Sequence, residues 1–163
     1  MKKIFFVGID LAWSKRNDTG LSILSLQDDT LVLEGYALLK ELDDIVSIVT
    51  QAVLENPCII GIDAPLTVKN DEGRRDAEHE LQKQFYKSHA VAHPANRNRL
   101  GLWNRGVPRG EELVKMIEPF GFEENPYIQT RQSLRHIMEV FPHPAQVELF
   151  GLDKVLPYKQ KPG

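Results

Sequence analysis

The chain has 163 residues, 42% of them hydrophobic and 26% charged, with a formal net charge of -3. That length suits one domain with a sizeable core, spanning residues 1–163, and the composition is that of a globular protein rather than a disordered or fibrous one. The single cysteine, Cys58, excludes an intramolecular disulfide and a cysteine-ligated metal cluster, and no stretch reaches the length needed to span a membrane.

The opening Met1-Lys2-Lys3 with the apolar run behind it resembles the start of a signal peptide, but Asp10 interrupts the run before a full hydrophobic region forms. The expected location is therefore cytoplasmic. The run itself, Ile4-Phe5-Phe6-Val7-Gly8-Ile9-Asp10, is short, rich in β-branched and aromatic residues and without alternation, which predicts a strand buried on both faces. A polar loop follows to Thr19, in which Trp13 is a candidate either to cover the core or to stack on a substrate base. Leu21 to Leu26 and Val32 to Leu38, joined by Gln27-Asp28-Asp29-Thr30, predict an antiparallel hairpin.

Glu41 to Leu54 predicts a crossover helix. Leu42, Ile45, Val46, Val49, Ala52 and Val53 form one stripe, acids occupy the first turn, and Asn56-Pro57 ends it. Cys58-Ile59-Ile60-Gly61-Ile62-Asp63 then repeats the first run, including its terminal Gly-Ile-Asp. A helix between two such strands lays the second parallel to the first, about 4.8 Å away if they are neighbours. Ligands of open α/β sheets collect beyond the carboxyl ends of the strands. Asp10 and Asp63 are thus expected to share one site and to close on one divalent cation.

Arg74 to Lys87 predicts a further helix with Ala77, Leu81 and Phe85 on its apolar stripe. Ser88 to Pro108 is dense in His, Pro, Asn and Arg, and so long an irregular segment predicts a lid or binding loop. The nearby histidines, His79, His89 and His93, lack zinc-site spacing. Charge is uneven along the chain: residues 1–63 carry five Lys or Arg against ten Asp or Glu, and residues 74–110 carry eight against three. That basic block, with Arg74, Arg75, Arg97 and Arg99 in it, fits a phosphate-bearing substrate, and equally a solvated helix face. Gly110 to Glu118 predicts a helix with Leu113, Met116 and Ile117 inward. His136 to Phe141 predicts another buried strand, carrying Glu139, before a Pro142-His143-Pro144 turn and a short amphipathic helix with Val147, Leu149 and Phe150 as its apolar residues. The last stretch, Tyr158 to Gly163, predicts no further element.

Four blocks, Gly8-Ile9-Asp10-Leu11-Ala12-Trp13, Gly61-Ile62-Asp63-Ala64-Pro65-Leu66, Gly73-Arg74-Arg75-Asp76-Ala77-Glu78 and Glu139-Val140-Phe141-Pro142-His143-Pro144, resemble in that order the motifs of the domain of unknown function 429. Each motif is short, and their joint order is the more specific signal. That family is described as nucleases with a ribonuclease H-like fold. The resemblance covers nearly the whole chain and implies metal ligands at Asp10, Asp63 and Glu139. It also implies helices beyond the Tyr-Lys segment, from which ribonuclease H-like nucleases commonly take a last metal-binding acid; the sequence ends at Gly163, so the expectation here is a domain without those helices and a weak or inactive nuclease.

The expected fold is α/β, a ribonuclease H-like mixed sheet of five strands in spatial order 3-2-1-4-5 with strand 2 antiparallel. The hairpin and crossover rules allow this order and the resemblance selects it. The expected function is metal-dependent hydrolysis of phosphodiesters with Mg²⁺ or Mn²⁺ held by Asp10, Asp63 and Glu139. His143 is a candidate proton shuttle, as its ordinary pKa lies near neutrality, and Trp13, Arg74, Arg75, Arg97 and Arg99 are candidates to bind nucleic acid or another phosphoester. Two other classes fit less of the sequence. One is a non-catalytic nucleic-acid-binding module. The other is a nucleotide-binding phosphotransferase of the actin and sugar-kinase type, for which Leu11-Ala12-Trp13-Ser14 is a poor phosphate loop. The sequence leaves the oligomeric state open.

Overall fold

A computed structural model describes residues 3–130 and 132–156. The expected signal-like start at Met1-Lys2 and the tail from Tyr158 to Gly163 lie outside the described residues. Among the described residues six strands form one sheet: β1 (Ile4–Asp10), β2 (Thr19–Gln27), β3 (Thr30–Leu39), β4 (Cys58–Ile62), β5 (Glu123–Glu124) and β6 (Arg135–Glu139), in the order β3-β2-β1-β4-β6-β5. β2 runs antiparallel to both neighbours, whereas β4, β6 and β5 continue parallel from β1.

The expectation of five strands needs one correction. A sixth, two-residue strand lies at the far edge beside β6. It is a Glu-Glu pair with no apolar pattern to announce it, and it exists because the chain after Gly121 happens to run along β6. The five longer strands keep the expected order.

The strands are not buried on both faces. In β1, Phe5, Val7 and Ile9 are buried while Ile4, Phe6 and Gly8 are only half-buried, and β4 alternates in the same way. One sheet face carries the main core, where α1 (Leu42–Val53) and α4 (Arg109–Ile117) contribute Ile45, Val49, Val53, Leu113 and Ile117 to a cluster with Val7, Ile9, Ile60, Ile62 and Ile137. α1 keeps its acids Asp43 and Asp44 in the first turn, as the helix dipole favours.

The expected inward stripes of two helices also need correction. In α2 (Asp76–Phe85) the one buried residue is Glu78, while Ala77 is exposed and Leu81 and Phe85 are half-buried. In α5 (Pro142–Phe150) Val147 is buried with Pro144, but Leu149 and Phe150 are exposed. The irregular segment 88–108 contains one short helical turn, α3 (Arg97–Leu100). Among the described residues no helix is long and apolar enough to cross a membrane.

Candidate functional site at the carboxyl ends of the strands

β1 and β4 are neighbours in register, Val7 opposite Ile60 and Ile9 opposite Ile62. The Asp63 N–H donates to the Ile9 carbonyl at 2.8 Å, so the ladder extends one residue past β4 and Asp10 and Asp63 leave the sheet side by side. Strand alternation puts these two acids on the sheet face of Gly8 and Gly61, opposite the buried Ile9 and Ile62. They stand between two cavities. One, of about 240 Å³, extends beneath residues 92–95 and is also lined by Trp13, Arg75, Glu139 and His143. The other, of about 380 Å³, lies along Gly8, Gly20, Gly61 and Ser22.

Glu139 ends β6, two strands from β1, opposite Ile62 in register. By the same alternation it belongs to the other sheet face from Asp10 and Asp63. Its carboxylate is already held: Arg75 donates from Nη2 to Oε1 at 2.5 Å and from Nη1 to Oε2 at 2.9 Å, and the Leu66 N–H adds a bond to Oε2 at 3.0 Å. Arg75 in turn grips Glu78, which is 2% exposed. Nε donates to Oε1 at 2.5 Å, the Arg75 backbone N–H to Oε2 at 2.8 Å, and the Ala95 N–H also reaches Oε2. Burial pulls the Arg75 pKa down, but the bonds to Glu139 and Glu78 outweigh it and hold the guanidinium above its ordinary value. Arg75 is thus a charged strut joining β6, α2 and the 92–96 stretch, not a free cation awaiting phosphate. Glu78 was not singled out from sequence. Its signal is the spacing Arg75-x-x-Glu78, half of a capping box: the Glu78 carboxylate accepts from the N-cap N–H of Arg75, and the guanidinium, which cannot accept, adds an ion pair instead.

These geometries decide how well a metal fits. Mg²⁺ is commonly bound by one or two carboxylates, with water and substrate phosphate completing the shell. Asp10 and Asp63 meet that requirement at adjacent strand exits. Glu139 does not fit as a third ligand while Arg75 and Leu66 hold it. Among the described residues no group of three or more His, Cys, Asp or Glu side chains is arranged to hold a metal ion.

The predicted basic block is divided by the fold. Arg97 forms a fork with Glu111, Nη2 lying 3.0 Å from each carboxylate oxygen, and Glu111 also accepts from the Val68 N–H at 2.9 Å. Arg99 lies over the Trp13 ring, 5.0 Å from its centroid, and the Trp13 edge meets His93 at 6.0 Å. Trp13 is therefore a cavity wall rather than a core cover. A matching stack places Arg16 4.4 Å above the Trp103 ring. Each of the two loops, 11–18 and 97–105, thus contributes one tryptophan and one arginine to its partner. Arg74 sits apart from the acids, beside His79, Gln82, Lys83 and Tyr86. His143 lines the cavity with its ring edge-on to Phe141, centroids 5.3 Å apart.

Both strand-exit loops dock on the start of α4. Arg109, 3% exposed, donates to the carbonyls of Ala12 at 3.0 Å and Lys40 at 2.7 Å. A Cβ on Gly110 would come within 2.2 Å of the Pro65 carbonyl oxygen, so only glycine permits this approach.

Paired aspartates leaving adjacent parallel strands, with a cavity beyond, make this an α/β protein whose candidate site lies at the carboxyl end of its sheet. The model of the family described as "Protein of unknown function (DUF429)" matches residues 8–163, and the chain belongs to that family. No curated protein matches the sequence. Among solved structures, one from Aquifex aeolicus, described as a structural study of the PPX-GPPA enzyme, is similar with a TM-score of 0.31 and 8% identity. The match covers 87% of this chain and 37% of that one, so this chain spans little more than a third of that protein's length.

Proposed function

We propose that the protein is a metal-dependent phosphodiesterase, a nuclease of ribonuclease H-like type, with Mg²⁺ or Mn²⁺ held by Asp10 and Asp63. The observation that carries this reading is the side-by-side exit of the two aspartates from β1 and β4 into one cavity. The order of the five long strands, with β2 antiparallel, supports the ribonuclease H-like assignment. When bound, such an ion polarises a phosphoryl oxygen and lowers the pKa of a water ligand. The chain's own residues supply the rest. Asp10 and Asp63 fix where a phosphate can sit, His143 at the cavity wall holds or receives a proton, and Arg75 keeps Glu139 and the 92–96 stretch in place around it. Glu139 acts in this reading as a positioning residue and not as a ligand. The activity is assigned to the cytoplasm.

A non-catalytic nucleic-acid-binding module is the second reading, favoured by the two exposed Trp–Arg stacks, since aromatic faces beside cations suit unpaired bases. A nucleotide-binding phosphotransferase ranks third. Incubation with single-stranded DNA, RNA and bis(p-nitrophenyl) phosphate in Mn²⁺ tests the first reading. Cleavage should stop with chelator and fall at least a hundredfold in Asp10→Asn and Asp63→Asn. Cleavage that survives both substitutions refutes it, and undiminished strand binding without cleavage supports the second reading.

A further inference from the structure

The 240 Å³ cavity has more in its walls than the two aspartates. Besides the charged groups of Asp10, Asp63, Arg75, Glu78 and Glu139 and the imidazoles of His93 and His143, its walls carry an apolar set: Leu11, Pro65, Leu81, Pro94, Leu100 and Phe141. Leu81 and Ala77, the stripe of α2 that does not enter the core, face this space instead. A cavity of about 150 Å³ holds a benzene ring. The present one admits a single larger flat ring, and Trp13 and His93 add aromatic edges to it. The cavity on the other side of the acids is different in kind. Its floor has three glycines, Gly8, Gly20 and Gly61, with Ser22 and Val140 beside them, and glycines of this kind allow close approach of a ligand. The two aspartates therefore stand between a ring-sized pocket with a largely apolar wall and an open, glycine-floored surface.

We propose that the apolar cavity is a base pocket, and that the substrate class is a nucleoside phosphoester presented with one unpaired base, either as a free nucleotide or within a single strand. The inference rests on the phosphoester reading of the Asp10 and Asp63 site, because the flat ring commonly joined to a phosphoester is a nucleobase. A duplex keeps its bases inside the stack and offers only sugar and phosphate at its surface, so it would leave this pocket empty unless a base were extruded.

Ala77 provides the test, as it is exposed on α2 and lines the cavity, so that Ala77→Phe fills the space without entering the core. Binding of adenosine monophosphate, inorganic phosphate, a short single-stranded oligonucleotide and the matching duplex is measured by calorimetry in Mn²⁺. The nucleotide and the single strand should bind at least tenfold more tightly than inorganic phosphate and the duplex. Ala77→Phe should remove that advantage while Mn²⁺ binding stays unchanged. Ala92→Leu, on the 88–108 segment, provides a second block should the first variant fail to fold. Unchanged nucleotide affinity in both folded variants, or duplex binding as tight as single-strand binding, overturns the inference. Failure of the hydrolytic reading would look different: nucleotide binding sensitive to Ala77→Phe with no phosphoester cleaved leaves the base pocket standing and removes the catalysis.

Discussion

Arg75 is the residue on which most of the site's geometry depends, because one guanidinium neutralises both a buried carboxylate, Glu78, and an exposed one, Glu139. Removing one partner of such a buried pair leaves an uncompensated charge and typically costs about 3–5 kcal/mol. Arg75→Ala is therefore expected to lower unfolding free energy in urea by about that amount, since Glu78 keeps only two backbone donors. Arg75→Lys should recover little of it, because an ammonium cannot fork to two carboxylates. A loss below about 1 kcal/mol in Arg75→Ala, small enough for a surface ion pair, would show the strut to be incidental. Cys58 is the other residue with a definite consequence. Burial, only partly opposed by Arg135, pushes its thiol from an ordinary value of 9.0 up to about 12. The folded state then holds the proton after the unfolded state has lost it. Stability owed to this group is complete below about pH 8 and declines as pH rises above 9, by at most about 1.4 kcal/mol per pH unit. Native protein at pH 8 should accordingly resist thiol reagents, with labelling as fast as global unfolding and no faster.

At the scale of elements, the start of α4 sets the position of both loops that leave the aspartates. Because Gly110 faces a backbone carbonyl rather than a flexible side chain, Gly110→Ala must push α4 away from Pro65. A loss of at least 1–3 kcal/mol is expected from overpacking of this kind. Thermal melts of the variant test it, and an unchanged melting temperature would mean that the helix start shifts freely. The elements also show what the sequence could disclose. β1, β4, the hairpin and α1 were legible because each carries its own pattern: Gly-Ile-Asp at two strand ends, turn residues at Gln27 to Thr30, one apolar stripe in α1. The pairing of Asp10 with Asp63 followed from that local information plus the crossover rule. α2 was misread in orientation, since an apolar stripe looks the same in sequence whether it meets a core or a cavity. Glu78 has a local partner in Arg75, three residues earlier, but its burial escaped notice because Ala95 reaches it only when the 88–108 segment folds back. The role of Glu139 was hidden for the same reason, as no pattern around β6 announces Arg75, which lies 64 residues earlier.

Across the whole molecule, the basic block is less available than its composition suggests. Arg75 and Arg97 are committed to carboxylates, whereas Arg99 lies on an aromatic ring at the cavity rim. Each phosphate contact on a single strand contributes about 0.7 to the slope of log affinity against log salt. Arg99→Gln is expected to reduce the slope for a single-stranded oligonucleotide by about that amount, and Arg97→Gln to leave it unchanged. Equal reductions in both would mean that the Arg97–Glu111 pair opens on binding. The central claim is broader than any of these contacts: two aspartates, delivered by a repeated strand ending, make one divalent cation site. Calorimetric titration of Mn²⁺ into the native chain, Asp10→Asn, Asp63→Asn and Glu139→Gln tests it most directly. One ion should bind the native chain, affinity should fall at least tenfold in either aspartate variant, and Glu139→Gln should retain it; binding indifferent to both aspartates, or lost equally with Glu139, would contradict the account.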